Sequence, residues 1–159
     1  MLLTQILVHN AAHMRTEVSH PLRKAAIRPS SSTLRGMLSP KEFKIVDSAL
    51  QSLRSAGGLE LQWEWRGKSI GWICAAKYND FTVCEVHAAS IPIKGIIQIP
   101  MAIALRIQES PSFPEGFKGF LKHPTDTCGS NNLYSLEIET TELRDLLSDL
   151  VSEILNYID

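Results

Sequence analysis

The fold class is decided by the stretch Gly58-Leu-Glu-Leu-Gln-Trp-Glu-Trp-Arg-Gly-Lys-Ser-Ile-Gly-Trp-Ile-Cys-Ala-Ala-Lys77, which holds all three tryptophans of the chain. Apolar and polar side chains alternate from Leu59 to Arg66, and this period of two is typical of a half-buried strand. Gly67-Lys68 predicts a two-residue turn, after which a second strand runs over residues 69–77. The stretch therefore predicts a β-hairpin with one bulky apolar face.

A third strand is predicted at residues 81–88, and the turn before it decides which of its side chains face inward. A two-residue loop would put the polar Glu85 beside Trp72. A three-residue loop, Tyr78-Asn79-Asp80, puts Cys84 there instead, across from Cys74, and gives one consistently apolar face. We therefore expect one buried face that is shared by Leu61, Trp63, Trp72, Cys74 and Cys84.

Helix signals flank these strands. Ser39-Pro40-Lys-Glu42 combines an N-cap, a proline at the first position and a glutamate at the third, so a helix is expected from there to Gly57-Gly58. Thr140 or Thr141 caps a last helix with a leucine stripe that reaches residue 158. Residues 91–109 leave strand and helix open; we expect a loop or short strand and then a helix from Pro100.

The remaining stretch predicts a second hairpin. Residues 117–123 and 133–139 alternate and bracket the loop Pro124–Asn132. From residue 39 the order is α-βββ-α-ββ-α, which favours an α+β fold with an antiparallel sheet of five to six strands and helices packed on one face. We divide the chain into a basic N-terminal helical extension, 1–38, and a single α+β domain, 39–159.

The extension begins with an amphipathic helical pattern over about residues 2–18, with a stripe formed by Leu3, Leu7, Ala11, Met14 and Val18. Residues 1–38 carry five basic side chains and one acidic one, although the whole chain has a net charge of −1. No aromatic side chain lies among the basic residues to stack on bases, so the pattern disfavours nucleic acid. Docking of the extension against the acidic body is the expectation, and an organelle transit peptide is the alternative that we favour less.

The composition also indicates the cellular compartment of the protein. No apolar run of the sequence is long enough to cross a bilayer as a helix, so we expect no membrane span. The three cysteines, Cys74, Cys84 and Cys128, have no ligand-like spacing. Free thiols are typical of a reducing compartment, so the sequence predicts a cytoplasmic protein.

Three patterns could carry chemistry. His9 and His13 have the four-residue spacing of metal ligands on a helix, but the glutamate of the zinc-protease motif is missing. Glu85 and His87 resemble one strand of a metal-dependent nuclease, without its lysine. Cys128 lies five residues after His123, in a loop that could bring thiol and base together. Surface or core roles are commoner for each, so we predict no catalytic residue, no metal and no cofactor.

The residues predicted to bind a partner or ligand are the tryptophans and the polar side chains of the third strand: Trp63, Trp65, Trp72, Glu85 and His87. The α-βββ-α-ββ-α order resembles that of small α+β binding proteins of the type III secretion chaperone class. The resemblance implies that the chain grips a protein partner.

The leading prediction of function is a non-catalytic protein-binding or assembly module, secretion-chaperone-like or an adaptor, that forms a homodimer. The alternative is a small-molecule-binding protein or a hydrolytic enzyme with a pocket on the tryptophan-rich sheet. The two differ in one observable feature. An enzyme would bring together in one cleft the polar residues Glu64, Glu85, His87, His123 and Cys128.

Overall fold

The computed structural model describes residues 20–158. A short 3-10 turn at Pro21–Arg23 comes first, and the predicted helix at 2–18, with His9 and His13, lies outside the described residues. The helices are α1 (Leu34–Met37), α2 (Pro40–Ser55), α3 (Met101–Glu109), α4 (Glu115–Leu121) and α5 (Thr141–Ile158). The strands are β1 (Leu59–Trp65), β2 (Trp72–Tyr78), β3 (Phe81–His87), β4 (Lys94–Pro100), β5 (Asp126–Cys128) and β6 (Asn131–Glu137).

The six strands form one antiparallel sheet in the order β1-β2-β3-β4-β6-β5. The helices pack on one side of it, which we call the inner face, and share one core with it. The buried side chains that the sheet gives to this core include Trp72, Cys74, Ala76, Cys84, Val86, Ile97, Ile99, Tyr134 and Leu136. The opposite side is the outer face, and the prediction of an α+β fold with an antiparallel sheet is confirmed.

Local signals place the two longest described helices. Ser39 accepts a hydrogen bond from the Glu42 N–H, and Glu42 accepts one from the Ser39 N–H, so the predicted capping box starts α2. In α5, Leu147 is buried over Gly95 of β4, where a Cβ would approach its methyl groups to 3.1 Å. A glycine at that position lets α5 lie close to the sheet.

The ambiguous stretch from residue 91 contains a full strand. Lys94–Pro100 forms β4 between β3 and β6, and the predicted helix begins directly after it at Met101. Ile97 and Ile99 are fully buried on the inner face. Of the loop and the short strand that the sequence left open, the structure has a strand, of seven residues, because a strand with neighbours on both sides buries far more apolar surface than a loop does.

The second hairpin was placed too early in the chain. Residues 117–123 do not form a strand, since Glu115–Leu121 is the helix α4, with Leu121 buried and Phe117 and Phe120 half-buried. The hairpin consists instead of β5 and β6, so β5 lies inside the predicted loop 124–132. The apolar side chains of residues 117–123 fit a helical period as well as an alternating one, and packing against the core selected the helix.

Both turns of the central meander differ from the prediction. Arg66 donates its N–H to the Gly71 carbonyl, so the β1–β2 loop is longer than Gly67-Lys68. The β2–β3 loop is Asn79-Asp80, two residues, and a bulge at Ala76/Lys77 corrects the register. The bulge still turns Cys84 to the inner face as predicted.

Because of this bulge, Cys84 lies opposite Ala76, and Val86 lies opposite Cys74. The predicted pairing of Cys84 with Cys74 was therefore wrong. The predicted face nevertheless exists, since Trp63 pairs with Cys74 and Leu61 with Ala76. Leu61 and Trp63 are half-buried on it, because β1 lies at the edge of the sheet.

Residues 20–38 pack against the sheet end that holds the β1–β2 loop. Leu22 is fully buried, and its carbonyl oxygen would lie 2.3 Å from a Cβ at Gly71. The Trp72 indole N–H donates to the Lys24 carbonyl at 3.0 Å. The guanidinium of Arg35 lies 4.5 Å from the centre of the Phe43 ring. In residues 20–38, docking of the basic extension thus uses buried apolar contacts as well as charge.

Candidate functional site

The predicted site residues lie on opposite faces of the sheet. Trp63, Trp65 and Trp72 are on the inner face, where Trp65 and Trp72 are directly opposite each other with ring centres 5.6 Å apart. Trp72 is buried, and the other two are half-buried. Glu85 and His87 are on the outer face, so the sheet separates the aromatic and the polar half of the predicted set.

On the outer face, charged side chains from three strands join in one network, which we call the charged cluster: Glu64, Arg66, Lys77, Glu85 and His87. The guanidinium Nη2 of Arg66 lies 2.8 Å from the Glu64 carboxylate and 2.7 Å from the Glu85 carboxylate. Lys77 pairs with Glu64, and His87 Nε2 lies 2.9 Å from Glu85. The cluster alternates in charge, so its carboxylates all face cations.

Arg66 spans the strand between its two partners. Glu64 belongs to β1 and Glu85 to β3, and these strands flank β2. The two strands are therefore about 10 Å apart, twice the usual strand spacing. The Arg66 head group must cross β2, whose fully buried Ile73 and Ala75 lie opposite Glu64 and Glu85 respectively. Arg66 thus ties the edge strand β1 to the interior of the sheet.

The electrostatics agree with this arrangement. Burial alone would raise the pKa of Glu85, but the hydrogen bond from His87 and the charge of Arg66 outweigh it and lower the pKa. Hydrogen bonds from Lys77 and Arg66 lower the pKa of Glu64. Both carboxylates are therefore held ionised, which suits a structural tie and is the reverse of the raised pKa that a general acid needs.

Acid is expected to weaken this tie. A carboxylate whose pKa is lowered by folding stabilises the folded state above its ordinary pKa of 4.5, and the stabilisation is lost as the pH falls through the lowered value. Urea unfolding between about pH 5 and pH 3 should show a steeper loss of unfolding free energy in the wild type than in Glu85→Gln. Parallel profiles would show that Glu85 contributes no pH-dependent stability.

Among the described residues, β1 has a partner strand on one side only, and its other edge, which we call the free edge, presents outward backbone groups. Inter-strand bonds recur at every second residue of an antiparallel pair. Because Arg66 bonds Gly71, the residues that bond β2 are Glu60, Gln62 and Glu64. The N–H and C=O groups that point away from β2 belong to Leu59, Leu61, Trp63 and Trp65. The Trp63 carbonyl confirms this direction, since Arg28 Nη2 donates to it at 3.4 Å from outside the sheet.

Side chains fasten this edge strand on both faces. The charged cluster holds β1 on the outer face, and the contact of Trp65 with Trp72 holds it on the inner face. A strand held in this way loses little conformational freedom when another strand is added to it, which favours binding. The half-exposed side chains of β1 would lie beside such a strand.

The other edge of the sheet is less suited to strand addition. β5 has only three residues and begins two residues after Pro124. Beyond it, the Ser135 N–H of β6 is satisfied by the Thr125 hydroxyl at 3.0 Å. Short strands and nearby prolines are common ways of protecting an edge.

A shallow groove of about 210 Å³ lies where α2 begins. It is lined by Lys41, Glu42, Ile45, Ser90, Ile91, Ile93 and Glu139, and none of the tryptophans reaches it. Its volume is below the roughly 300 Å³ of the smallest usual ligand pockets. The Glu42 carboxylate is already bonded to Ser39 and to His20, and Glu139 accepts the Ile93 N–H.

The residues that an enzyme would need in one cleft do not all meet. Glu64, Glu85 and His87 converge, whereas Cys128 lies on β5, three strands away from β3, and His123 precedes that strand. Burial raises the pKa of the Cys74 thiol to about 12. Within residues 20–158, no three His, Cys, Asp or Glu side chains come together as metal ligands.

Comparison of the chain with protein-family models, with curated proteins and with solved structures gave no match. In the part of the chain that the structure describes, no helix has both the length and the apolar character needed to cross a membrane.

Sequence reasoning missed Arg66, Lys77 and Arg28 as members of the site. For Arg66 and Lys77 a signal existed, since both continue the outward-facing alternation of their strands next to opposite charges. For Arg28 no local signal existed, because its contact with Trp63 joins residues 35 positions apart.

Proposed function

We propose that this protein is a non-catalytic protein-binding and assembly module that binds an added β-strand along the free edge of β1. The observation that carries the proposal is a seven-residue edge strand with outward-facing backbone groups at four residues, fastened on both faces of the sheet. Backbone hydrogen bonds supply affinity in such strand addition, and flanking side chains supply specificity. Trp63 and Trp65 are the side chains placed for that second role.

The polar chemistry of the chain supports a binding function over catalysis. The carboxylates of the charged cluster are neutralised by neighbouring cations, and their pKa values are lowered. On the tryptophan-rich face, which the enzyme alternative requires to hold a pocket, Trp72 is buried in the described residues, with its ring against Trp65 and its indole N–H bonded to the Lys24 carbonyl. The alternative stays a prediction from sequence.

A photo-crosslinking amino acid tests the binding edge directly. Placed at the exposed Gln62 of β1, it should yield protein adducts in cells that make this protein. At the exposed Asn156 of α5, the matched control position, it should yield few or none. Equal yields at the two positions, or no adduct at Gln62, would contradict binding at this edge.

A proline then separates the backbone from the side chain. The Leu61 N–H points away from β2, so Leu61→Pro breaks no bond within the sheet but removes an outward donor. Leu61→Ala makes a similar loss of packing and keeps the donor. We expect Leu61→Pro to abolish the Gln62 adducts, Leu61→Ala to keep them, and both variants to show the circular dichroism of a folded chain. Adducts that survive the proline would overturn the strand-addition mechanism.

A further inference from the structure

We infer that the strand added to β1 is the β1 strand of a second copy of this chain, antiparallel to the first about a two-fold axis at Leu61. The inference rests on the proposed function and specifies its partner. Two-fold pairing requires one surface to be complementary to itself. The sequence of β1 decides whether such a register exists.

Registers are set by the outward backbone groups. Odd-numbered residues of β1 point outward, so a bonded pair joins an odd residue of one copy to an odd residue of the other. Axes at Leu61, Gln62 and Trp63 are the central possibilities. Each of them puts a different residue opposite the exposed carboxylate of Glu60.

Charge separates these three axes. An axis at Gln62 puts Glu60 opposite the Glu64 of the other copy, twice, and like charges directly opposite each other destabilise a pair. An axis at Trp63 puts Glu60 opposite Arg66, whose guanidinium is already paired with Glu64 and Glu85. An axis at Leu61 avoids the like-charge pair, because Glu60 then lies opposite an uncharged Gln62.

The inner-face pairs of the Leu61 axis are also complementary. Leu61 lies opposite itself, and Leu59 lies opposite Trp63. Aliphatic and aromatic cross-strand pairs are favourable, and all these side chains are only half-buried within one chain. The second copy would cover apolar surface that the helices leave partly exposed.

Arg28 opposes this association. In the Leu61 register, the Leu59 N–H of one copy donates to the Trp63 carbonyl of the other. That carbonyl already accepts a hydrogen bond from Arg28 Nη2 at 3.4 Å within its own chain. Arg28 therefore competes with the second copy and limits open-ended pairing at the edge. Replacing Arg28 by alanine should tighten the dimer several-fold, and a weaker or unchanged dimer would show that Arg28 does not compete.

Charge substitutions at the exposed Gln62 test the register by sedimentation equilibrium of the full chain. Gln62→Glu puts two like-charge pairs across the axis and should raise the dimer Kd roughly two- to thirtyfold, while Gln62→Lys should lower it by a similar factor. Combining Glu60→Lys with Gln62→Glu restores opposite charges at both pairs and should recover the affinity. Melting curves of each variant show that the monomer fold is kept.

The outcomes separate the inference from the proposed function. A weaker dimer with both Gln62→Glu and Gln62→Lys would indicate an axis at Gln62 and overturn the Leu61 register. A chain that stays monomeric at all concentrations, but still forms proline-sensitive adducts at Gln62, would overturn the self-pairing and keep strand addition to a different partner. A monomer without such adducts would overturn both.

Discussion

Leu147→Asp is expected to unfold the chain. Leu147 is 1% exposed and sits in the core between α5 and Gly95 of β4. A carboxylate there loses its hydration among buried apolar side chains, which costs several kcal/mol. We expect a loss of at least about 4 kcal/mol, comparable to the whole stability of a small domain. Cooperative thermal unfolding should disappear from the circular dichroism melting curve.

Asn156→Asp is the matched control for this prediction. It adds the same charge to the same helix at an exposed position, so its melting curve should stay close to that of the wild type. An unchanged melting curve for Leu147→Asp as well would mean that α5 does not pack on the sheet. Because Leu147 is buried within one chain, the effect should not depend on protein concentration.

Gly71→Ala is expected to have the second-largest effect. Gly71 has a φ of +84°, and a Cβ there would lie 2.3 Å from the Leu22 carbonyl oxygen. The substitution therefore combines backbone strain with a clash against a backbone atom that cannot rotate away. We expect a loss of about 3 kcal/mol or more in denaturant unfolding, since Leu22 must leave its buried position.

Gly67→Ala separates the two causes. Gly67 has a similar φ of +89°, but a Cβ there meets no atom within 4 Å. Only the left-handed strain remains, which costs about 1–2 kcal/mol. The near-UV circular dichroism of Trp72, whose indole bonds the Lys24 carbonyl, should change in Gly71→Ala alone. Equal losses in both variants would show that residues 20–24 do not depend on this contact.

Much of the fold could be predicted because its signals are local. The alternation from Leu59 to Trp65, the Ser39–Glu42 capping box and the leucine stripe of α5 all come from neighbouring residues, and the structure contains each element. The helix α4 escaped prediction, and the strand β4 was predicted only as an alternative to a loop, because the apolar side chains of both stretches fit two periods. Packing against residues elsewhere in the chain decided which of these stretches became a strand and which a helix.

The candidate site was less predictable than the fold. Glu85 and His87 were recognised as polar strand residues, but their partner Arg66 is 19 positions from Glu85. The tryptophans were recognised as one apolar face, yet Trp72 is buried while Trp63 and Trp65 keep exposed surface, and Trp72 bonds the carbonyl of Lys24, 48 positions away. Contacts between distant parts of a chain leave no trace in a local pattern.

The sequence by itself determined the fold class, the central β-meander and the two capped helices, because alternation and capping act within a few residues. Only the tertiary structure decided the strand order, the bulge at Ala76/Lys77 and the position of β1 at an edge. These features depend on which strands become neighbours. The free edge of β1 is a property of the assembled sheet, since a strand has an unpaired side only after its neighbours have taken their places.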